Sequence, residues 1–119
     1  MQPADGAEVC LFSYGTLRQR EVQLAIFGRA LAGHADVLPG YALLPIQLTD
    51  PDVVTTSGTA LHTIVRETGN PADEVPGIVL RITQAELAAA DAYETADYTR
   101  VTVRLQSGIE AFVYVDARP

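Results

Sequence analysis

The stretch VPGIVLRITQAELAAADAYE, Val75 to Glu94, passes from strand to helix within one residue. Val75 to Ile82 is aliphatic and rich in β-branched residues, which predicts extended chain. Pro76-Gly77 near its start fits an edge or a bulge, because proline donates nothing to a ladder and glycine tolerates a bend. Thr83 with Glu86 three residues later forms a capping box, and Gln84 to Ala92 is dominated by alanine and other good helix formers. A strand feeding straight into a capped helix, set among further strands, points to the α+β class.

C-terminal to this unit, Tyr98 to Leu105 alternates: Val101, Val103 and Leu105 fall on one face, Arg100, Thr102 and Arg104 on the other. Gln106-Ser107-Gly108 then turns the chain into Glu110 to Val115, so an antiparallel hairpin is expected. N-terminal to it, the apolar run Val9 to Tyr14 stops at Gly15, a buried strand delivering a glycine loop. Glu21 to Phe27 reads as a short helix with Val22, Leu24, Ala25 and Ile26 available to the core and Gly28 as its stop. Pro39-Gly40 marks a turn before a short strand, Tyr41 to Leu44, ended by Pro45. Gln47 to Ser57, with Asp50-Pro51-Asp52 as turn chemistry, reads as an excursion over the surface. Thr59 to Val65 reads as a strand and Glu67 to Asp73 as a loop. The predicted architecture is a small mixed β-barrel or strongly curved sheet flanked by one or two helices.

The 119 residues fit a single domain, 1–119, with 1–7 as a loose start. A hydrophobic share of 48% against 19% charged is that of a globular protein rather than a disordered tail. The net charge of −7, and basic residues that form no run, argue against nucleic-acid binding. No apolar stretch reaches the roughly 20 residues needed to cross a bilayer, and the acidic start lacks a signal-peptide pattern, so no membrane partner and a cytoplasmic location are expected. The single cysteine, Cys10, sits in the apolar run Val9 to Phe12 and reads as a small hydrophobe rather than a nucleophile.

Two segments carry chemistry. On the helix after Thr83, Leu87, Ala90, Asp91 and Glu94 share one stripe, so if Leu87 faces the sheet, so does Glu94. A carboxylate there is partly desolvated, which raises its pKa and suits it to exchange protons near neutrality. Asp91 and Glu94 also lie at the end of the helix where the macrodipole disfavours negative charge, so stability alone would not select them. The plain alternative is a solvated glutamate at a helix end; Asp91 reads as structural, bonding to loop amides. The second segment is Tyr14-Gly15-Thr16-Leu17, whose amides after a strand end form a nest for a carboxylate or an oxyanion. Taken alone, the tetrapeptide reads first as a strand-ending turn without a ligand.

Tyr14-Gly15-Thr16-Leu17, Val75-Pro76-Gly77 with its strand, Asp91-Ala92-Tyr93-Glu94, Tyr98, Arg100 and Val113-Tyr114-Val115 together resemble the γ-glutamylcyclotransferase family, including its AIG2-like branch. The resemblance spans most of the chain, with Ala90 and Thr95 standing where leucine and glycine are common. It implies a mixed β-barrel with a pocket at one end. It further implies an enzyme in which the α-amine of a γ-glutamyl group attacks its own γ-carbonyl, releasing 5-oxoproline and an amine or amino acid. The glutamate matching Glu94 would shuttle the proton, and the loop matching Tyr14 to Leu17 would hold the substrate by backbone amides. Neither metal nor cofactor is implied, and the partner is a small molecule bearing a γ-glutamyl group. The rival reading is a non-catalytic small-ligand or protein-binding domain that keeps the pocket.

Further candidates are weaker. His62 either reaches the pocket to bind a substrate carboxylate or is a polar residue on a sheet surface. Tyr14, Tyr98 and Tyr114 either line the pocket with their hydroxyls or fill core and rim. Arg18, just past the loop, attracts an anionic substrate or stays in solvent. His34-Ala35-Asp36 lacks a third metal ligand at useful spacing, and Ser13 lacks a nucleophile elbow. Specificity for the leaving group is expected within residues 46–73.

Overall fold

The structure, a computed structural model, describes residues 8–58 and 61–118. The loose start expected over 1–7, and the first two residues of the strand expected from Thr59, lie outside these. The elements are β1 (Glu8–Ser13), α1 (Arg20–Phe27), β2 (Gly33–Pro39), β3 (Tyr41–Gln47), α2 (Pro51–Ser57), β4 (Leu61–Glu67), β5 (Glu74–Thr83), α3 (Gln84–Tyr93), β6 (Tyr98–Arg104) and β7 (Glu110–Asp116). One turn of 3-10 helix, Thr16–Arg18, joins β1 to α1.

Five strands form one sheet in the order β2-β5-β1-β7-β6, and β3 pairs with β4 in a second, two-stranded sheet. Within the larger sheet the β1–β7 pair is parallel and the other neighbours are antiparallel. The sheet curls until the turn after β6 meets the opposite edge strand. Gln106 N donates to Val37 O at 2.9 Å, and the Ser107 hydroxyl and amide both donate to the buried Asp36 carboxylate. β2 and β6 do not pair along their length, so of the two expected forms the curved sheet is the one adopted.

Because alternate residues of a strand face opposite ways, the central strands feed two cores. Leu11 on β1 and Leu80 and Ile82 on β5 pack beneath α1 and α3 with Val22, Leu87 and Ala90. Phe12, Val75, Val79 and Val113 fill the other face with Val65 of β4. Cys10 is a free thiol packed against this second core, as its apolar setting predicts.

The capping box of α3 forms as read: Glu86 N donates to Thr83 Oγ1 at 3.1 Å and Thr83 N to Glu86 Oε1 at 2.9 Å. The C-terminal hairpin is antiparallel and in the expected register, with Val101 opposite Val113. Other expectations need correcting. Residues 51–57 are a helix, not a surface loop: Asp50 caps it by accepting from Asp52 N at 3.0 Å and Val53 N at 3.4 Å, and Pro51 takes the first turn. Asp-Pro is as much an N-cap and first-turn proline as it is a turn. In α1 Leu24 is 45% exposed, while Gln23 is buried in its place. Strand β3 runs on through Pro45, which a strand in a two-stranded ribbon tolerates. Strand β2, Gly33–Pro39, has no counterpart among the elements expected from the sequence.

Pro76 and Gly77 keep regular register with Val37 and Asp36 of β2, so there is no bulge, but they extend past the end of β1, whose last pair is Ser13 with Ile78. Gly77 is needed for close approach: a Cβ there would stand 2.5 Å from Ser13 O and 2.6 Å from Phe12 Cζ. Gly77→Ala is therefore expected to cost about 2 kcal/mol or more, read as a melting temperature lower by on the order of 10 °C. A melting temperature within a degree or so of the natural chain would mean that β1 yields freely at that point.

Candidate active site

Strand β1 ends in Ser13, and the chain turns through Tyr14 and Gly15 into the 3-10 turn. The turn closes with Arg18 N donating to Gly15 O at 3.1 Å and Gln19 N to Thr16 O at 2.9 Å. These bonds use the amides that follow the turn; those of Thr16 and Leu17, at its start, have no acceptor within it. The turn is held from three sides. Leu17 is buried and its carbonyl accepts from Gln23 Nε2 at 2.9 Å. Thr16 Oγ1 lies 2.8 Å from Tyr93 Oη, and the Tyr14 hydroxyl donates to the Tyr114 carbonyl. Ser13 is buried with its Oγ accepting from Gly15 N at 3.4 Å.

A narrow cleft of about 30 Å³ opens against this turn. Ser13 to Leu17 form one wall, His62 and Thr63 of β4 a second, and Glu94, Tyr98 and Tyr114 a third. On one side it runs into a wider depression of about 630 Å³ that reaches Arg18, Pro45 and Leu61; on the other it adjoins one of about 440 Å³ beside Asp91 and Arg100. A Cβ at Gly15 would point at Thr63 Oγ1 across the cleft, 3.6 Å away. The bare glycine leaves that space open.

Glu94 caps α3. Its amide still bonds to Ala90 O at 3.0 Å, but its own backbone is extended, with φ −70° and ψ 137°. The helical stripe thus brings the chain to the cleft through buried Leu87, Ala90 and Tyr93, and the turn out of the helix completes the approach. Among the described residues nothing donates to the Glu94 carboxylate and no cation pairs with it. Burial alone therefore acts on it, and pushes its pKa up to about 8.

Burial also raises the phenols of Tyr14, Tyr93, Tyr98 and Tyr114, and in each case the charge of Glu94 adds to the effect. The Tyr98 hydroxyl donates to Thr63 O at 2.8 Å. The Tyr114 hydroxyl donates to Asp91 Oδ1 at 2.6 Å. Asp91 is thus structural, but its partners are side chains and not the loop amides expected: besides Tyr114 it takes Arg100 Nε at 2.9 Å and Nη2 at 3.1 Å. Arg100 in turn lies over the Phe112 ring, 4.7 Å from its centroid.

His62 is buried and lines the cleft rather than a sheet surface, with Nε2 3.0 Å from Ser57 Oγ of α2. Arg18 is exposed at the wider depression, its Nε donating to Gly15 O at 3.1 Å. Among the described residues no three His, Cys, Asp or Glu side chains gather as a metal-binding set. Among the described residues no helix is long and apolar enough to cross a membrane. Reading the sequence missed Gln23 and Thr63, and the partner that Tyr93 makes of Thr16. A buried glutamine on a short helix has no pattern that separates it from a solvated one.

The fold has known relatives. The family model "Gamma-glutamyl cyclotransferase, AIG2-like" matches residues 11–118, and the chain belongs to that family. A solved structure described as a γ-glutamyl cyclotransferase superposes with TM-score 0.73 at 17% identity, covering 94% of this chain and 68% of that one. The solution structure of an Arabidopsis thaliana protein matches with TM-score 0.65 at 24% identity over 98% of this chain and 66% of its own. An uncharacterised protein from Homo sapiens gives TM-score 0.67 at 19% identity over 93% and 68%. At these identities the likeness is one of fold, and this chain spans about two-thirds of the length of each. No curated protein matches by sequence.

The raised carboxyl has a thermodynamic consequence. Between its ordinary value of 4.5 and about 8, Glu94 keeps a proton in the folded chain that the unfolded chain releases. Stability conferred at low pH is therefore lost as pH rises through that window, and the whole cost of burying the anion is present above about 8. Glu94→Gln is expected to melt on the order of 5 °C or more above the natural chain near about pH 9, with the gap closing toward about pH 4.5. Equal melting temperatures at both ends would mean that the carboxylate is well solvated when folded.

Proposed function

We propose that this protein is a γ-glutamyl cyclotransferase that uses Glu94 as its acid-base group. The observation that carries the reading is a carboxylate with no donor and no counter-ion, raised to about 8, facing a turn that begins with unused amides. The α-ammonium of a γ-glutamyl substrate, beside its own carboxylate, has a pKa somewhat above the roughly 8 of a peptide α-amine. Proton transfer from it to an ordinary carboxylate is uphill by several pH units; transfer to Glu94 is close to balanced, which is the condition for efficient general base catalysis.

The reaction follows from that transfer. Glu94 takes a proton from the ammonium, and the freed amine attacks the γ-carbonyl carbon of the same molecule, closing a five-membered ring. The tetrahedral oxyanion or the substrate carboxylate is held by the loop from Tyr14 to Leu17 through the amides of Thr16 and Leu17. Glu94 then returns its proton to the departing nitrogen as the amide bond breaks, and takes up the second proton of the ring nitrogen and passes it to the released amine, leaving 5-oxoproline and the protonated amine or amino acid. Both reacting groups belong to one substrate, so positioning supplies much of the rate, and acid-base help with an amide nest is enough for the rest. His62, Tyr98 and Tyr114 shape the cleft around the glutamyl end, and the leaving group extends into the depression beside Arg18.

The test is mass-spectrometric detection of 5-oxoproline after incubation with γ-glutamyl amides and dipeptides. The natural chain is expected to form product at a rate that rises with pH as Glu94 ionises toward about 8 and falls again at higher pH as the substrate ammonium loses its proton. Glu94→Gln is expected to be folded and slower by at least about 100-fold. Product from both proteins would remove Glu94 from the mechanism. Product from neither, with both folded, would favour a binding domain that keeps the cleft.

A further inference from the structure

Glu94 is surrounded by groups able to donate a hydrogen bond to it, and receives none. Phenols line its cleft from three strands: Tyr14 at the end of β1, Tyr98 on β6 and Tyr114 on β7; Tyr93 stands beside it on α3. Each is near enough for the Glu94 charge to act on its hydroxyl. Their protons go elsewhere. Tyr14 and Tyr98 donate to backbone carbonyls, of Tyr114 and Thr63, and Tyr93 is engaged with Thr16. Backbone carbonyls are fixed acceptors that the fold itself supplies.

Tyr114 differs, because its acceptor is a side chain. Asp91 Oδ1 takes the phenol at 2.6 Å and Arg100 Nε at 2.9 Å, while Oδ2 takes Arg100 Nη2 at 3.1 Å. A guanidinium only donates, so both carboxylate oxygens are acceptors and the shared proton must come from the phenol. Asp91, Arg100, Tyr114 and Glu94 border one depression, with Tyr98 and Thr99. Apart from Asp91, Glu94 is the carboxylate whose charge acts on the Tyr114 hydroxyl.

We propose that Asp91, fixed by Arg100, is a positioning residue that draws the Tyr114 proton away from Glu94 and so leaves the Glu94 carboxylate without a donor. A bond from Tyr114 would stabilise the anion and make it a poorer base. The inference bears on the acid-base role proposed above, yet it concerns only the ionisation of Glu94 and is read without turnover. Either reading can therefore fail while the other stands.

The test is the pH titration of the Glu94 side-chain carboxyl followed by carbon NMR in the full chain. It compares the natural protein with Asp91→Ala, Tyr114→Phe and the double variant. Asp91→Ala is expected to lower the midpoint by about one pH unit, the size of a hydrogen bond to a charged group. Tyr114→Phe alone is expected to leave it in place, and the double variant to restore the natural midpoint, since no phenol proton remains to donate. His62, which faces the cleft from β4, is unchanged throughout. A midpoint unmoved in Asp91→Ala overturns the proposal. So does a drop that persists in the double variant, which would be the loss of the Asp91 charge acting through space. If Asp91→Ala does not fold, Tyr114→Phe still decides: a midpoint raised by its loss would mean that Tyr114 already donates to Glu94 in the natural chain.

Discussion

The site depends on how β1 meets β7. Regular pairing of these parallel strands is confined to Leu11 opposite Phe112. A few residues on, the Tyr114 carbonyl is taken not by a backbone amide of β1 but by the Tyr14 hydroxyl. A phenol is longer than an amide, so a bridge of this kind holds two strand ends apart while still satisfying the carbonyl. The cleft lies beside that bridge, with Tyr14 on one wall and Tyr114 on another. On its other flank β1 is tied to β5 over six residues, close enough at Gly77 that a Cβ would not fit. One side of the strand is thus rigidly packed, and the other is where the fold leaves room.

What fills that room is mostly accounted for. No buried side-chain polar atom among the described residues lacks a partner. The phenols, Gln23 and Ser13 all have named bonds. Glu94 is the exception in kind, a partly accessible carboxylate that the surrounding protein neither pairs nor hydrogen-bonds. A buried charge ordinarily acquires a partner or loses its proton. Here the second outcome is the useful one, because a group that gives up its charge near neutrality is able to move protons. The folding cost and the chemical capacity have the same origin.

Much of this was legible in the sequence where a local signal agreed with the tertiary setting. The Thr83 and Glu86 box is a short-range motif, and the alternation from Tyr98 to Leu105 is unambiguous, so α3 and the last hairpin came through in register. Tyr14-Gly15-Thr16-Leu17 and Glu94 converge on one cleft although about eighty residues separate them. Where the reading failed, a local signal had two meanings. Asp50-Pro51 serves a turn or a helix start, and the β-branched Val53 to Thr56 weigh against helix, so α2 was hidden. Gly33 to Pro39 has only Ala35, Val37 and Leu38 as hydrophobic residues, with no sustained alternation, and becomes a strand because β5 offers it an edge. In α1 the apolar Leu24 is exposed and the polar Gln23 buried, since two backbone partners, Leu17 O and Leu31 N, await that amide.

The bridge from Tyr14 to Tyr114 joins residues 100 apart in the chain, and this sets an order of events during synthesis. β1 leaves the ribosome early, carrying Leu11 and Phe12, while its neighbours β5 and β7 follow only after most of the chain has been made. Until β5 arrives, an apolar strand has no partner on either side, the condition under which nascent chains meet chaperones or each other. Its second neighbour, β7, comes later still, so the cleft is not complete until β7 has joined β1. Loop closure over such a distance is slow compared with local helix formation. Any ligand of this cleft therefore binds only chains that have finished folding, and by mass action draws them toward that state.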